Sequence, residues 1–246
     1  MPILLNCDLG EKVHDNDALL MPFIDQANIA CGLHASDPQT ISHTIQLAIK
    51  HNVAIGAHPS YPDKANFGRV TMPLSQPALE SVLHYQLAAF SQLCELNGTQ
   101  LRYVKPHGAL YNDMMKDHDI FTTLCHVIAQ MFTDVSLMIQ ALPNMAPFIH
   151  IAKHYNISII SEAFADRNYQ DNGLLVPRSH SYAMVNDSTQ VKQNIANLLN
   201  TGHMTSTSGK TLPLSVKSLC VHGDNEHALA IVKQIRQQID EYDRTS

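Results

Sequence analysis

Five short apolar runs in this chain end in the same way, and that repetition constrains the fold more than any single motif does. Residues 3–6 run into Cys7-Asp8-Leu9-Gly10-Glu11, residues 27–30 into Cys31-Gly32-Leu33-His34, and residues 53–55 into Gly56-Ala57-His58-Pro59. Tyr103-Val104 runs into Lys105-Pro106-His107-Gly108, and residues 219–221 into His222-Gly223-Asp224. Each reads as a strand too apolar to be half exposed, followed by ionisable side chains and a glycine or proline that redirects the backbone. Strands of that kind are covered on both faces, the habit of a parallel sheet.

Helical signals lie between the runs. Asp37-Pro38 is an N-cap followed by a first-turn proline, and Ile41, Ile45, Leu47, Ala48 and Ile49 make an apolar stripe ending at His51-Asn52. Further helices are expected from Ser75-Gln76-Pro77 to Asn97-Gly98 and over residues 117–131, 143–155, 189–200 and 226–239, with strands at 135–139 and 157–160. Residues 202–213 read as a hairpin excursion. Two long loops, 59–73 and 163–181, follow strand tips and carry aromatic and charged side chains, the composition of working loops. A strand, a helix and a second strand in about 30 residues is a βαβ unit. About seven strands alternating with helices in 246 residues predict one α/β domain over residues 1–246. The expected architecture is a parallel (β/α) barrel, seven-stranded and TIM-like, with an open doubly wound sheet as the alternative.

Charge narrows the partners. The formal net charge is -6 and no block of lysine or arginine occurs, which argues against nucleic acid or an anionic membrane surface and leaves a small molecule or another protein. The five cysteines lack a C-x-x-C and fall inside apolar runs, so they read as reduced thiols. Asp8 interrupts the first apolar run, no basic segment precedes it, and no run approaches the roughly 20 residues that span a bilayer. A soluble cytoplasmic protein is expected, with homo-oligomerisation left open.

In a parallel barrel all strands open their carboxyl ends on one face. Asp8, Glu11, His34, His58, Lys105, His107, Glu162, His222 and Asp224 are therefore expected to meet, although they are scattered through the chain. Carboxylates beside imidazoles and an ammonium can act as general acid and base, as a divalent-metal cage, or as hydrogen-bonding groups for a polar ligand. No H-E-x-x-H or H-x-E-x-H spacing chooses among these, so a bound metal is undetermined. Arg69, Arg167 and Arg178 in the long loops are candidate carboxylate clamps. Ser208-Gly209-Lys210-Thr211 matches only the end of a phosphate loop, because Met204 stands where the first glycine belongs.

Longer blocks carry a resemblance. Asn6-Cys7-Asp8-Leu9-Gly10-Glu11, Ala27-Asn28-Ile29-Ala30-Cys31-Gly32-Leu33-His34, Gly56-Ala57-His58-Pro59-Ser60-Tyr61-Pro62-Asp63 and Val104-Lys105-Pro106-His107-Gly108-Ala109-Leu110-Tyr111 stand in order along the chain. Glu162-Ala163-Phe164-Ala165-Asp166-Arg167, Leu175-Val176-Pro177-Arg178 and Cys220-Val221-His222-Gly223-Asp224 follow. Together they resemble the signature blocks of the LamB/YcsF family, the A subunits of prokaryotic ATP-dependent 5-oxoprolinase, over essentially the whole chain. The resemblance implies a barrel related to the glycoside hydrolase/deacetylase fold. It also implies cleavage of 5-oxo-L-proline to L-glutamate with ATP and its magnesium as co-substrate, in a complex with separately encoded subunits B and C.

Under that resemblance Asp8, His58, Lys105, His107 and Glu162 are the catalytic candidates. Asn6, Glu11, His34, Asp63, Arg69, Tyr111, Asp166, Arg167, Arg178, His222 and Asp224 are the substrate-binding candidates. Two other readings stay open, a stand-alone metal-dependent amide hydrolase or deacetylase and a non-catalytic ligand-binding subunit. The chain departs from the family pattern twice: Lys12-Val13-His14 replaces a glycine-aromatic-glycine turn, and Ala35-Ser36-Asp37 replaces Ala-Gly-Asp.

Overall fold

The alternation of apolar runs with amphipathic stripes becomes an alternation of strands with helices in the computed structural model, which describes residues 3–12, 16–185, 187–222 and 228–245. Seven strands run parallel: β1 (Leu4–Leu9), β2 (Gln26–Ala30), β3 (Ala54–His58), β4 (Tyr103–Val104), β5 (Ser136–Gln140), β6 (Ile159–Phe164) and β9 (Ser218–His222). They pair in that order, and β9 pairs with both β6 and β1, so the sheet closes into a barrel rather than opening as a doubly wound sheet. A two-stranded antiparallel excursion, β7 (His203–Thr205) and β8 (Thr211–Pro213), occupies the expected hairpin and contains the Ser208-Gly209-Lys210-Thr211 turn.

The helices are α1 (Asp17–Leu20), α2 (Pro38–Lys50), α3 (Gln76–Leu96), α4 (Gly108–Met114), α5 (His118–Met131), α6 (Ala146–His154), α7 (Ser188–Thr201) and α8 (Ala228–Thr245). Asp37 caps α2 by accepting from the Thr40 amide at 2.9 Å, with Pro38 in the first turn, as the sequence leads one to expect. Helix α4 has no counterpart in the expected elements. It is only seven residues long, and its His107 and Gly108 read in sequence as the end of a strand tip.

Strand residues divide by face. Leu5, Cys7 and Leu9 of β1 join the apolar layer between barrel and helices, together with residues such as Ile45, Leu83 and Leu87. Asn6 and Asp8 point the other way. Their side chains meet those of Asn28 on β2, Lys105 after β4 and Ser218 on β9, strands that are not all neighbours in the sheet, so these groups meet across the lumen. Most barrel lumens are filled with branched apolar residues, whereas this one carries a polar plug. Gly56 on β3 makes room for it: a Cβ there would lie 2.2 Å from the Tyr103 ring. All five cysteines are buried free thiols, in keeping with their place in apolar runs.

Candidate active site

The lower part of the site is the plug. Lys105 Nζ lies 3.0 Å from Asp8 Oδ1, 3.1 Å from Glu162 Oε2, 3.2 Å from Asn6 Oδ1 and 3.1 Å from Cys220 Sγ. Asn6 Nδ2 donates to Glu162 Oε2 at 3.1 Å and to Ser218 Oγ at 2.7 Å. Asn28 Nδ2 donates at 2.8 Å to both Asn6 Oδ1 and Asp8 Oδ1, and the Tyr103 hydroxyl donates to Asn28 Oδ1 at 2.7 Å. Burial alone would lower the Lys105 ammonium, but the Asp8 and Glu162 carboxylates outweigh it and hold the group charged, well above its ordinary range.

The upper part is a cluster of imidazoles around one carboxylate. His34 Nε2 is 3.1 Å from Glu11 Oε1, His107 Nδ1 3.3 Å and His58 Nε2 3.9 Å. His58 Nε2 also lies 3.5 Å from Asp8 Oδ2, which ties this layer to the plug. The His34 and His107 rings stack with centroids 3.8 Å apart, and His58 stands edge-on to both. Burial, then the neighbouring His58, pushes His34 down to about 2, and burial with the other two imidazoles pushes His107 well below its ordinary value. Burial acts the same way on His58, but the charge and hydrogen bond of Asp8 outweigh it and its net shift is upward.

The long loop 59–73 is built to hold this cluster. Gln86 on α3 clamps its start, accepting from Ser60 N at 3.0 Å and donating to Ser60 O at 2.9 Å. Phe67 O accepts from His107 Nε2 at 2.9 Å. Gly68 and Gly108 both adopt left-handed φ, +64° and +57°, and pack backbone against backbone: a Cβ on Gly108 would lie 2.5 Å from Gly68 O. A Cβ on Gly68 would press on His34 Cβ at 2.9 Å and His107 Cδ2 at 3.0 Å.

Above both layers opens a cavity of about 320 Å³, lined by Asp8, Glu11, His58, Lys105, His107 and Tyr111 and also by Arg69, Arg167 and Arg178. Burial and then Glu162 raise the Tyr111 phenol, which stays protonated. Arg167 is buried and donates to Ala183 O at 3.3 Å and Val176 O at 2.7 Å, so it fastens the second long loop as well as lining the cavity. Burial lowers it to about 10. Arg69, over the Phe67 ring at 4.9 Å, and Arg178 are exposed at the mouth.

Of the residues expected to meet, Asp8, Glu11, His34, His58, Lys105, His107 and Glu162 do so through these contacts. Glu162 and Asn6 lie beneath the cavity floor, fully buried in the plug, and His34 lies behind His107. Asp63 sits apart, capping the 3-10 turn Lys64–Asn66 by accepting from Asn66, and Asp166 is buried beside Arg167; neither lines the cavity. His222 ends β9 opposite Asp8 in register, but its side chain and Asp224 lie outside the described residues. The expected set omits Asn28, Tyr103 and Ser218. Asn28 carries a readable signal, an amide inside the otherwise apolar Ala27-Asn28-Ile29-Ala30.

Comparison with known proteins identifies the family and the fold. The LamB/YcsF family matches residues 3–245. A Vibrio cholerae protein that bears the name of the 5-oxoprolinase A subunit is 42% identical over 243 residues, covering 97% of this chain and 98% of its own. A Pseudomonas putida protein of the same name, numbered 2, is 40% identical, covering 97% and 94%. The crystal structure of a lactam utilization protein from Thermus thermophilus superposes with a TM-score of 0.88 at 28% identity, over 98% of this chain and 97% of that one.

Proposed function

The chain belongs to the LamB/YcsF family, and from that membership we propose that it is the A subunit of an ATP-dependent 5-oxoprolinase. On this reading it acts in the cytoplasm with subunits B and C, converting 5-oxo-L-proline, ATP and two waters to L-glutamate, ADP and phosphate, with magnesium accompanying the nucleotide. The observation that carries the proposal is the cavity itself. Its lining combines acid–base groups with three guanidinium groups, a set matched to a small lactam ring bearing one carboxylate.

An unstrained lactam is a poor electrophile because its amide is resonance-stabilised. Phosphorylation of the lactam oxygen removes that resonance, and this chain carries no complete phosphate-loop motif, so the step is assigned to a partner subunit. Within the cavity, Asp8 takes a proton from the attacking water and returns it to the ring nitrogen as the C–N bond breaks, leaving an acyl phosphate that the second water hydrolyses to the side-chain carboxylate and phosphate. Lys105 acts through Asp8, fixing Oδ1 at 3.0 Å and setting positive charge beneath the reacting carbon. An arginine at the mouth holds the substrate carboxylate.

The test is reconstitution with separately purified subunits B and C. Glutamate release should require ATP and all three chains, and Asp8→Asn should lower its rate by about 100-fold or more with an unchanged circular dichroism spectrum. Full release with Asp8→Asn, or release that ignores ATP, would reject the assignment. The imidazole cluster favours a second reading, a stand-alone metal-dependent amide hydrolase, for which turnover by this chain alone, stopped by a chelator, is the signature.

A further inference from the structure

The protonation of two imidazoles is fixed from outside the cluster. His58 Nδ1 lies 2.6 Å from Lys105 O, and His107 Nε2 lies 2.9 Å from Phe67 O. A carbonyl oxygen only accepts, so both of these ring nitrogens carry hydrogen. The opposite nitrogens, His58 Nε2 and His107 Nδ1, are then lone pairs in the neutral rings, and they face each other at 3.0 Å. Glu11 Oε1, also an acceptor, is 3.3 Å from one and 3.9 Å from the other. Acceptors buried against acceptors repel unless something positive lies among them.

One proton shared between His58 and His107 relieves the contact between them, and His34 Nε2 can donate to Glu11 Oε1 at 3.1 Å. A cation would engage all four groups at once. Glu11, His34, His58 and His107 offer four ligand atoms that all lie within 4.8 Å of one another. Metal bonds of 2.0–2.1 Å arranged as a tetrahedron require ligand atoms about 3.4 Å apart. Four contacts within the cluster, at 3.0, 3.1, 3.3 and 3.9 Å, bracket that edge. Donation of the outer ring nitrogen to a backbone carbonyl, made here by both His58 and His107, is also the support that orients metal-binding histidines.

We propose that Glu11, His34, His58 and His107 bind one divalent first-row transition-metal ion of the zinc class. Three imidazole nitrogens with one carboxylate oxygen suit zinc or cobalt better than magnesium or calcium, which take all-oxygen cages. Such an ion would sit beside Asp8 at the cavity floor, where its chemistry when bound is to polarise an oxygen or acidify a water. The magnesium that accompanies ATP is a different ion. The site is inferred from this chain's own atoms and does not depend on the proposed 5-oxoprolinase activity.

The experiment uses the full chain, free of any histidine tag, stripped by dialysis against a chelator. Titration with zinc chloride followed by calorimetry and elemental analysis should find one tightly held equivalent, and cobalt should give the visible bands of a low-symmetry four-coordinate ion. Glu11→Gln, nearly isosteric, should weaken zinc binding by about 100-fold or more with an unchanged circular dichroism spectrum, and His107→Ala should abolish the cobalt bands. Exposed His150→Ala is the control and should change nothing. Absence of a tight equivalent, or equal affinity in the parent and Glu11→Gln, would overturn the proposal and leave a proton-held cluster. A chain that binds zinc but releases no glutamate with its partners would count against the function alone, and a chain that releases glutamate with its partners but takes up no tight zinc equivalent against the site alone.

Discussion

The two polar layers of this barrel are built from similar residues and obey opposite rules. In the plug, donors meet acceptors: Asn6 and Asn28 each donate twice through one amide, and Lys105 Nζ sits between two carboxylates. In the imidazole layer above, the lone pairs of neutral His58 and His107 face each other at 3.0 Å, because backbone carbonyls have already claimed their ring hydrogens. A network of paired donors and acceptors is a scaffold. A cluster whose lone pairs converge is a receptor for positive charge.

The largest effect should come from removing the charge at the centre of the plug. Lys105→Met leaves Asp8 and the fully buried Glu162 without their ammonium, and uncompensated buried carboxylates cost about 3–5 kcal/mol. Urea unfolding should show a loss of that size. A loss below about 1 kcal/mol would break the distinction, because the plug would then tolerate the mismatch seen above it.

Removing charge from the upper layer should do the reverse. Glu11→Gln replaces an acceptor-only carboxylate with a group that can donate to His107 Nδ1 while its oxygen still accepts from His34 Nε2. In the metal-stripped chain it should be neutral or stabilising by up to about 1 kcal/mol, the net worth of one hydrogen bond. Destabilisation by about 2 kcal/mol or more in the stripped chain would mean that Glu11 pairs with an imidazolium and that the two layers follow one rule.

Much of this contrast is legible in the amino-acid sequence, and the part that is not has a physical cause. Parallel strands announce themselves through apolar runs that do not alternate, and the barrel rule then gathers Asp8, Glu11, His34, His58, Lys105 and His107 at one rim. Which of them stand in the floor and which on the wall depends on strand register and side-chain direction, which sequence spacing does not encode. Glu162 and Asn6 look like rim groups but end inside the plug, fully buried. Asp63 looks like a loop carboxylate poised over the site, yet it caps a 3-10 turn. Helix α4 is hidden because Gly108, at φ +57°, reads as a stop while its neighbours Ala109, Leu110 and Tyr111 pack as a helix. The tautomers that set the upper layer apart come from the carbonyls of Lys105 and Phe67, and no side-chain motif reports where a carbonyl points.

The smallest predicted effect concerns where each layer tolerates strain. Both departures from the family pattern put a side chain at left-handed φ: Lys12 at +58° and Ser36 at +80°. Both lie in the tips of the upper layer, and no positive-φ residue falls among the plug side chains Asn6, Asn28, Tyr103, Lys105, Glu162 and Ser218. Lys12 recovers something through its ion pair with Asp37. Ser36 fastens its loop through the backbone, since its carbonyl accepts from Lys64 Nζ at 3.2 Å. Ser36→Gly therefore keeps that contact and removes a steric cost of about 1–2 kcal/mol, partly offset by the extra freedom of glycine in the unfolded chain. A net gain of about 0.5–1 kcal/mol in urea unfolding is expected, with zinc affinity unchanged. Stabilisation accompanied by weaker zinc binding would instead mean that the strained tip helps hold His34 in place, two residues away, and that strain in the upper layer serves the receptor rather than merely being tolerated there.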